Sequence, residues 1–145
     1  MNSIVKIHLI TIIMSNKLEI YYYCFSKNNK KVLSHDGLEN YFQYFLTRTI
    51  PSEITMNELE NKYVKVYEAH ISNEINLDNK ESITTYLYST FASFSSDKNP
   101  LSDKKYQKVL RENNLSTFMS IGDIIKLNDT LYCISGSGFT TVLFK

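Results

Sequence analysis

The chain has 145 residues, 43% hydrophobic and 21% charged, which suits one globular domain with a single core and excludes a largely disordered polypeptide. Its 16 basic and 15 acidic side chains leave a net charge of +1, so it has neither the overall basic field of a duplex-DNA binder nor the acidic field of a DNA-imitating decoy. Two cysteines, Cys24 and Cys133, are too few for a disulfide framework and lack the CxxC or Cys/His spacing of a zinc site; they read as buried free thiols in a reducing, cytoplasmic setting.

Residues 1–13 are apolar, but Lys6 is their only charge, His8 interrupts the run, and no small-residue cleavage site follows. The run is too short to span a bilayer, so no membrane association is expected. It reads as an added strand over Val5 to Ile12, or as a start-site extension with Met14 as an alternative initiator. Leu18 to Phe25 is rich in aromatic and branched residues and is expected to be a strand, joined by a basic turn at residues 26–31 to Val32 and Leu33 as a hairpin. This strand is also the one expected to risk edge pairing, and hence homodimerisation of an otherwise monomeric chain.

Asp36 is placed to cap a helix whose apolar face carries Leu38, Tyr41, Phe42, Phe45 and Leu46 at i, i+3, i+4, i+7 and i+8. Pro51 ends that region and marks a junction between residues 1–50, a hairpin-plus-helix region, and residues 51–145, an α+β region, within one compact domain. A short helix is expected between Ser52 and Asn61. Tyr63 to Ile71 then alternates as a strand, with Tyr63, Lys65, Tyr67, Ala69 and Ile71 on one side and Val64, Val66, Glu68 and His70 on the other.

After a polar turn, a second strong helix presents Ile83, Tyr86, Leu87, Phe91 and Phe94 on one face. Residues 95–100 read as loop, and Ser102 or Asp103 caps a third helix with Tyr106, Val109 and Leu110 inward. Three of the four glycines, Gly122, Gly136 and Gly138, then fall in the C-terminal stretch, which reads as a β-meander. Gly122-Asp123 opens it, Asn128-Asp129 forms a two-residue hairpin turn, and Gly136 and Gly138 bracket a second bend before Phe139 to Phe144. The expected class is α+β: a mainly antiparallel sheet with two or three helices largely on one face.

Within that meander, Met119-Ser120-Ile121-Gly122-Asp123-Ile124-Ile125, then Leu131-Tyr132-Cys133, Ser135, Gly138 and Phe139, resemble the signature of the YodL-like domain. The strand over Tyr63 to Ile71 and the helix over Glu81 to Phe94 follow the same order of elements, so the resemblance covers about residues 63–145. Two departures stand out: the family's Asp-Ser is replaced around Ile134 to Ser137, and a helical segment from Asp103 to Asn113 is inserted. Such domains are similar to parts of accessory proteins carried by plasmids and phages, with no settled activity. The resemblance implies a mobile-element context.

Catalytic signals are weak. His8, His35 and His70 are dispersed, with no HExxH or paired-histidine spacing, and Ser34-His35-Asp36 are sequence neighbours that point in different directions. Gly136-Ser137-Gly138 lacks the Lys-Ser/Thr of a phosphate loop and leads into a strand, so it is a turn; Asp123 is placed to accept backbone N–H bonds beside Gly122. No catalytic residue, metal or cofactor is expected. A binding surface remains, built from Tyr21, Tyr23, Tyr63 and Tyr67 if one sheet face is uncovered, and from Lys104, Lys105 and Lys108, with Arg111 nearby. Helices covering both sheet faces would bury the tyrosines instead.

The expectation is a non-enzymatic phage or mobile-element accessory protein that binds a host protein or nucleoprotein. A CRISPR effector or restriction enzyme inhibited in this way is the target class in view. The alternative is a small nucleic-acid-binding regulatory module, in which the same lysines and tyrosines hold a phosphate backbone and stack bases.

Overall fold

The computed structural model describes residues 16–24, 52–71 and 75–145 of the chain. The expected strand over Val5 to Ile12, the turn to Val32 and Leu33, the helix carrying Leu38 to Leu46 with its Asp36 cap, Pro51, and the residues His8 and His35 lie outside the described residues. Among the described residues, six strands form one sheet. They are β1 (Asn16–Tyr23), β2 (Glu53–Ile54), β3 (Tyr63–Ile71), β4 (Ile124–Leu127), β5 (Thr130–Ser135) and β6 (Gly138–Phe144), in the spatial order β2-β6-β5-β4-β1-β3. All neighbours are antiparallel except β2 and β6. With helices α1 (Met56–Lys62), α2 (Lys80–Phe94) and α3 (Lys104–Glu112), this is an α+β fold.

Alternation along the strands builds two cores. Leu18, Ile20 and Tyr22 of β1, Ile125 and Leu127 of β4 and Ile134 of β5 face Leu87 and Phe94 of α2 and Leu110 of α3. On the opposite face Ile124, Leu131, Cys133 and Val142 pack with Ile54, Tyr63 and Leu59, the buried residue of α1. Helices therefore cover both faces, with α2 and α3 on one and α1 on the other. The short helix expected from Ser52 starts later, because Glu53 and Ile54 first pair with Leu143 and Phe144. Thr55 then caps α1 by accepting from Glu58 N at 3.1 Å.

Two expected side assignments change. The ladder passes from Ile20 opposite Tyr67 to Tyr21 opposite Lys65, so Val66 is the extra residue of a β-bulge. A one-residue insertion reverses facing beyond it. Tyr63 consequently lies in the core under α1, while Tyr67 lies in the core under α2 and α3, and the two do not share a side. The expected edge strand is also displaced: β1 is paired on both sides, and β2 and β3 are the edges among the described residues.

The turns account for the glycines unequally. Gly122, at φ +95°, lets its N–H donate to Ile134 O at 2.8 Å. Gly138, at φ +136°, is opposite Ser135, and a Cβ there would be 3.1 Å from the Tyr88 hydroxyl oxygen. Gly136 has neither a positive φ nor a neighbour within 4 Å of such a Cβ. Hence Gly136→Ala is expected to change unfolding free energy by less than about 0.5 kcal/mol. Gly138→Ala is expected to lose about 1–3 kcal/mol in urea titrations, from backbone strain and displacement of Tyr88. Equal costs would show that the second bend makes no special demand at Gly138.

Candidate binding surface

The C-terminal meander, which carries the most specific sequence pattern, is occupied with holding the sheet. Asp123 is buried; its Oδ1 accepts from Tyr23 N at 2.9 Å and its Oδ2 from Ser120 N at 2.8 Å. Asn128, at φ +53°, exchanges bonds with β1: Lys17 N donates to Asn128 Oδ1 at 2.8 Å, and Asn128 N to Lys17 O at 2.9 Å. Gly122, Asp123, Gly136 and Gly138 thus sit at the turns of the sheet.

Of the candidate binding residues, Tyr21, Tyr23 and Tyr63 lie on the α1 face. Tyr63 is only 2% exposed and meets Tyr23 edge to face at 5.4 Å, so it is core rather than binding surface. The cause is α1, whose Leu59 closes this end of the sheet. Tyr21 donates its hydroxyl to Glu19 Oε1 at 3.3 Å; burial, followed by the charge of Glu19, pushes its phenol up to about 12.

Glu19 anchors a charge cluster that the sequence reading missed. Its side chain is 6% exposed, with Lys126 Nζ at 2.7 Å, Lys65 Nζ at 3.5 Å and Lys17 Nζ at 3.9 Å. Burial raises the carboxyl, but the Lys126 hydrogen bond and the three ammonium charges outweigh it and hold the group below its ordinary range. Neighbouring Glu68 is bonded to Lys17 at 2.7 Å and to Lys65 at 2.8 Å, which lowers its carboxyl to about 2. Both lysines are correspondingly raised, first by the Glu68 bond. The available signal was a single charge inside each apolar strand run, Glu19 in Leu-Glu-Ile and Lys126 in Ile-Lys-Leu.

Of the remaining candidates, Tyr67 and Lys105 meet at one cleft, which Lys104 and Lys108 do not line. A cleft of about 410 Å³ runs between edge strand β3 and helix α3, lined by Lys65, Val66, Tyr67, Glu68, Lys105, Tyr106 and Val109. Tyr67 forms its floor, packed against Tyr106 at 5.6 Å and Phe94 at 5.1 Å. Lys105 Nζ stands 4.9 Å from the Tyr106 ring centroid. Lys104, Lys108 and Arg111 follow at i, i+4 and i+7 on the exposed face of the same helix. Among the described residues, Lys104, Lys105 and Arg111 have no ion-pair partner, and Lys108 has only Glu112 at 4.0 Å.

The thiol and imidazole do not meet. Cys133 is fully buried on β5 opposite Ile124, whereas His70 is exposed on β3 opposite Lys17. Strands β4 and β1 separate them, which is roughly 14 Å across the sheet. Among the described residues no group of three or more His, Cys, Asp or Glu is placed to hold a metal, and no helix is long and apolar enough to cross a membrane.

Fold and surface define a small α+β protein with a cationic helix beside an edge-strand cleft. "Uncharacterized protein R785" of Acanthamoeba polyphaga mimivirus is 32% identical to it over 80 residues, which span 55% of this chain and 68% of the viral protein. The chain belongs to the family of that viral protein. No protein-family model matches the chain, and no solved structure matches it.

Glu19 generates a pH test. Its carboxyl lies lower in the folded protein than its ordinary 4.5, so the unfolded chain binds more protons in that window. Stability from this group is present above the ordinary value and lost as pH falls through the folded one. Chemical denaturation between pH 7 and pH 3 should show Glu19→Gln less stable than wild type at neutral pH, with the gap closing in acid. A pH-independent gap would show that packing, not charge, is what Glu19 supplies.

Proposed function

We propose that the chain is a non-enzymatic viral accessory protein that acts in the cytoplasm by binding a protein or nucleoprotein partner, with the β3–α3 cleft as its contact surface. The observation that carries this reading is the cleft itself, where Lys105 of α3, which has no ion-pair partner among the described residues, borders an aromatic floor at a sheet edge. The viral relative supports the mobile-element context that the YodL-like pattern implies. The separation of His70 from Cys133 supports a binding role over thiol chemistry. A host defence nuclease, of CRISPR or restriction type, is the partner class to test first, with inhibition as the consequence of occupying its nucleic-acid groove.

A second reading draws on the same helix. Lys104, Lys108 and Arg111 in one row on the exposed face of α3 also suit a phosphate backbone, which makes the chain a small nucleic-acid-binding module. Salt separates the two, because phosphate contacts release counterions and weaken steeply as salt rises.

Affinity capture from host lysate, followed by hydrogen exchange on the purified complex, tests the proposal. The expected result is a defined partner at near-equal stoichiometry, with protection added at residues 65–68 and 104–109. Protection confined to the α1 face would move the contact surface to the other side of the sheet. Recovery of nucleic acid alone, released on raising salt, would replace the proposal with the second reading.

A further inference from the structure

We infer that a second cleft, between α2 and the β5–β6 hairpin, binds a small zwitterion with an aromatic side chain, of the aromatic α-amino acid class. It lies toward the other end of the sheet from edge strand β3 and is independent of the partner surface described above. Its volume of about 510 Å³ is that of a small-ligand site. Ile83 and Leu87 of α2 and Tyr132 and Phe139 of the hairpin line its inner part, and all four belong to the main core or pack against it. Tyr88 adds a third ring, 52% exposed and edge to face with Phe139 at 5.0 Å. Gly138 leaves room for that ring, since a Cβ there would be 3.1 Å from the Tyr88 hydroxyl oxygen. The fold thus builds an aromatic wall that it does not itself cover.

The charges of the lining select the ligand. Asp78 and Lys80 are its charged residues, one of each sign, and neither has an ion-pair partner among the described residues. Asn79 between them caps α2, accepting from Glu81 N at 2.9 Å and from Ser82 N at 3.1 Å, so the Asp78 carboxylate is not consumed as the cap. A ligand with a single charge meets a like charge in this lining whichever sign it carries. A zwitterion offers its ammonium to Asp78 and its carboxylate to Lys80, and meets opposite charge at both. The two charges stand at the start of α2, whereas Tyr88 lies eight residues beyond Lys80, roughly 12 Å along a helix. The tyrosine side chain leans back toward the helix start, which shortens that gap. The cleft is therefore charged at one end and aromatic at the other, the same polarity as an aromatic α-amino acid.

NMR titration of the full chain tests this with four probes: phenylalanine, its N-acetyl derivative without the ammonium, its amide without the carboxylate, and alanine without the ring. Phenylalanine should saturate the site below about 10 mM, and the other three should bind at least about tenfold more weakly. Amide shifts should fall at residues 78–88 and 137–141. Lys80→Gln should remove the discrimination against the amide, and Asp78→Asn the discrimination against the N-acetyl derivative. Tyr88→Ala, at an exposed position, should weaken phenylalanine by about fivefold with the thermal midpoint nearly unchanged. No saturable binding of phenylalanine, equal binding of its two derivatives, or discrimination that survives both charge substitutions would overturn the assignment. Shifts at the same residues that follow protein concentration without any probe would also overturn it, by placing a second copy of the chain in the cleft.

Discussion

Antiparallel pairing of β1 on both of its edges is the constraint from which the other described parts take their positions. Residues 16–23 bond β3 along one edge and β4 along the other. Beyond the short β4 ladder, side chains continue the grip: the Asp123 carboxylate takes Tyr23 N and the Asn128 amide oxygen takes Lys17 N. Backbone donors at both ends of a largely buried strand are thereby satisfied, as burial requires. With β1 fixed in register, its alternation sends Leu18, Ile20 and Tyr22 toward α2 and α3, and Tyr21 and Tyr23 toward α1. One strand thus sets the identity of both cores.

A carboxylate at Glu19 within such a strand is costly unless cations accompany it into the sheet. Lys126, on the neighbouring strand and opposite Glu19 in the register, meets that requirement at 2.7 Å. Lys17 and Lys65 complete the shell while also holding Glu68. The arrangement has a consequence on the far side of β3. Because the lysines of the sheet are already committed to carboxylates, the unmatched positive charge among the described residues is concentrated on α3. A net charge near zero therefore coexists with a distinctly polarised surface.

Much of this was legible from residue order. Branched and aromatic runs marked β1, β3 and the meander, and apolar spacing marked α2 and α3. Three consecutive tyrosines had to divide between two faces, and Tyr22 does lie opposite Tyr21 and Tyr23. What failed was long-range geometry. The bulge at Val66 depends on pairing with β1, so strict alternation wrongly placed Tyr63 and Tyr67 together. Ile54 reads as part of a helix until β6 is present to pair with it, and α1 covers tyrosines that local sequence leaves ambiguous. Lys104, Lys105 and Lys108 were visible as a basic group, but the cleft beside them needs Val66 and Tyr67 from a strand nearly forty residues earlier.

The same bulge joins stability to recognition. By turning both Val66 and Tyr67 toward the helix layer, it gives the edge strand two consecutive inward side chains where regular alternation supplies one. Tyr67 can then bridge Phe94 of α2 and Tyr106 of α3, bringing α3 against the sheet edge. Lys65 and Glu68, on either side of the bulge, remain outward and form the opposite wall. Removal of the extra residue would return one of these side chains to the wrong face and separate α3 from β3. The cleft is thus a product of strand register: its floor belongs to the core, its strand wall is an ion pair of Lys65 with Glu68, and Lys105 on the helix side is left without an ion-pair partner among the described residues.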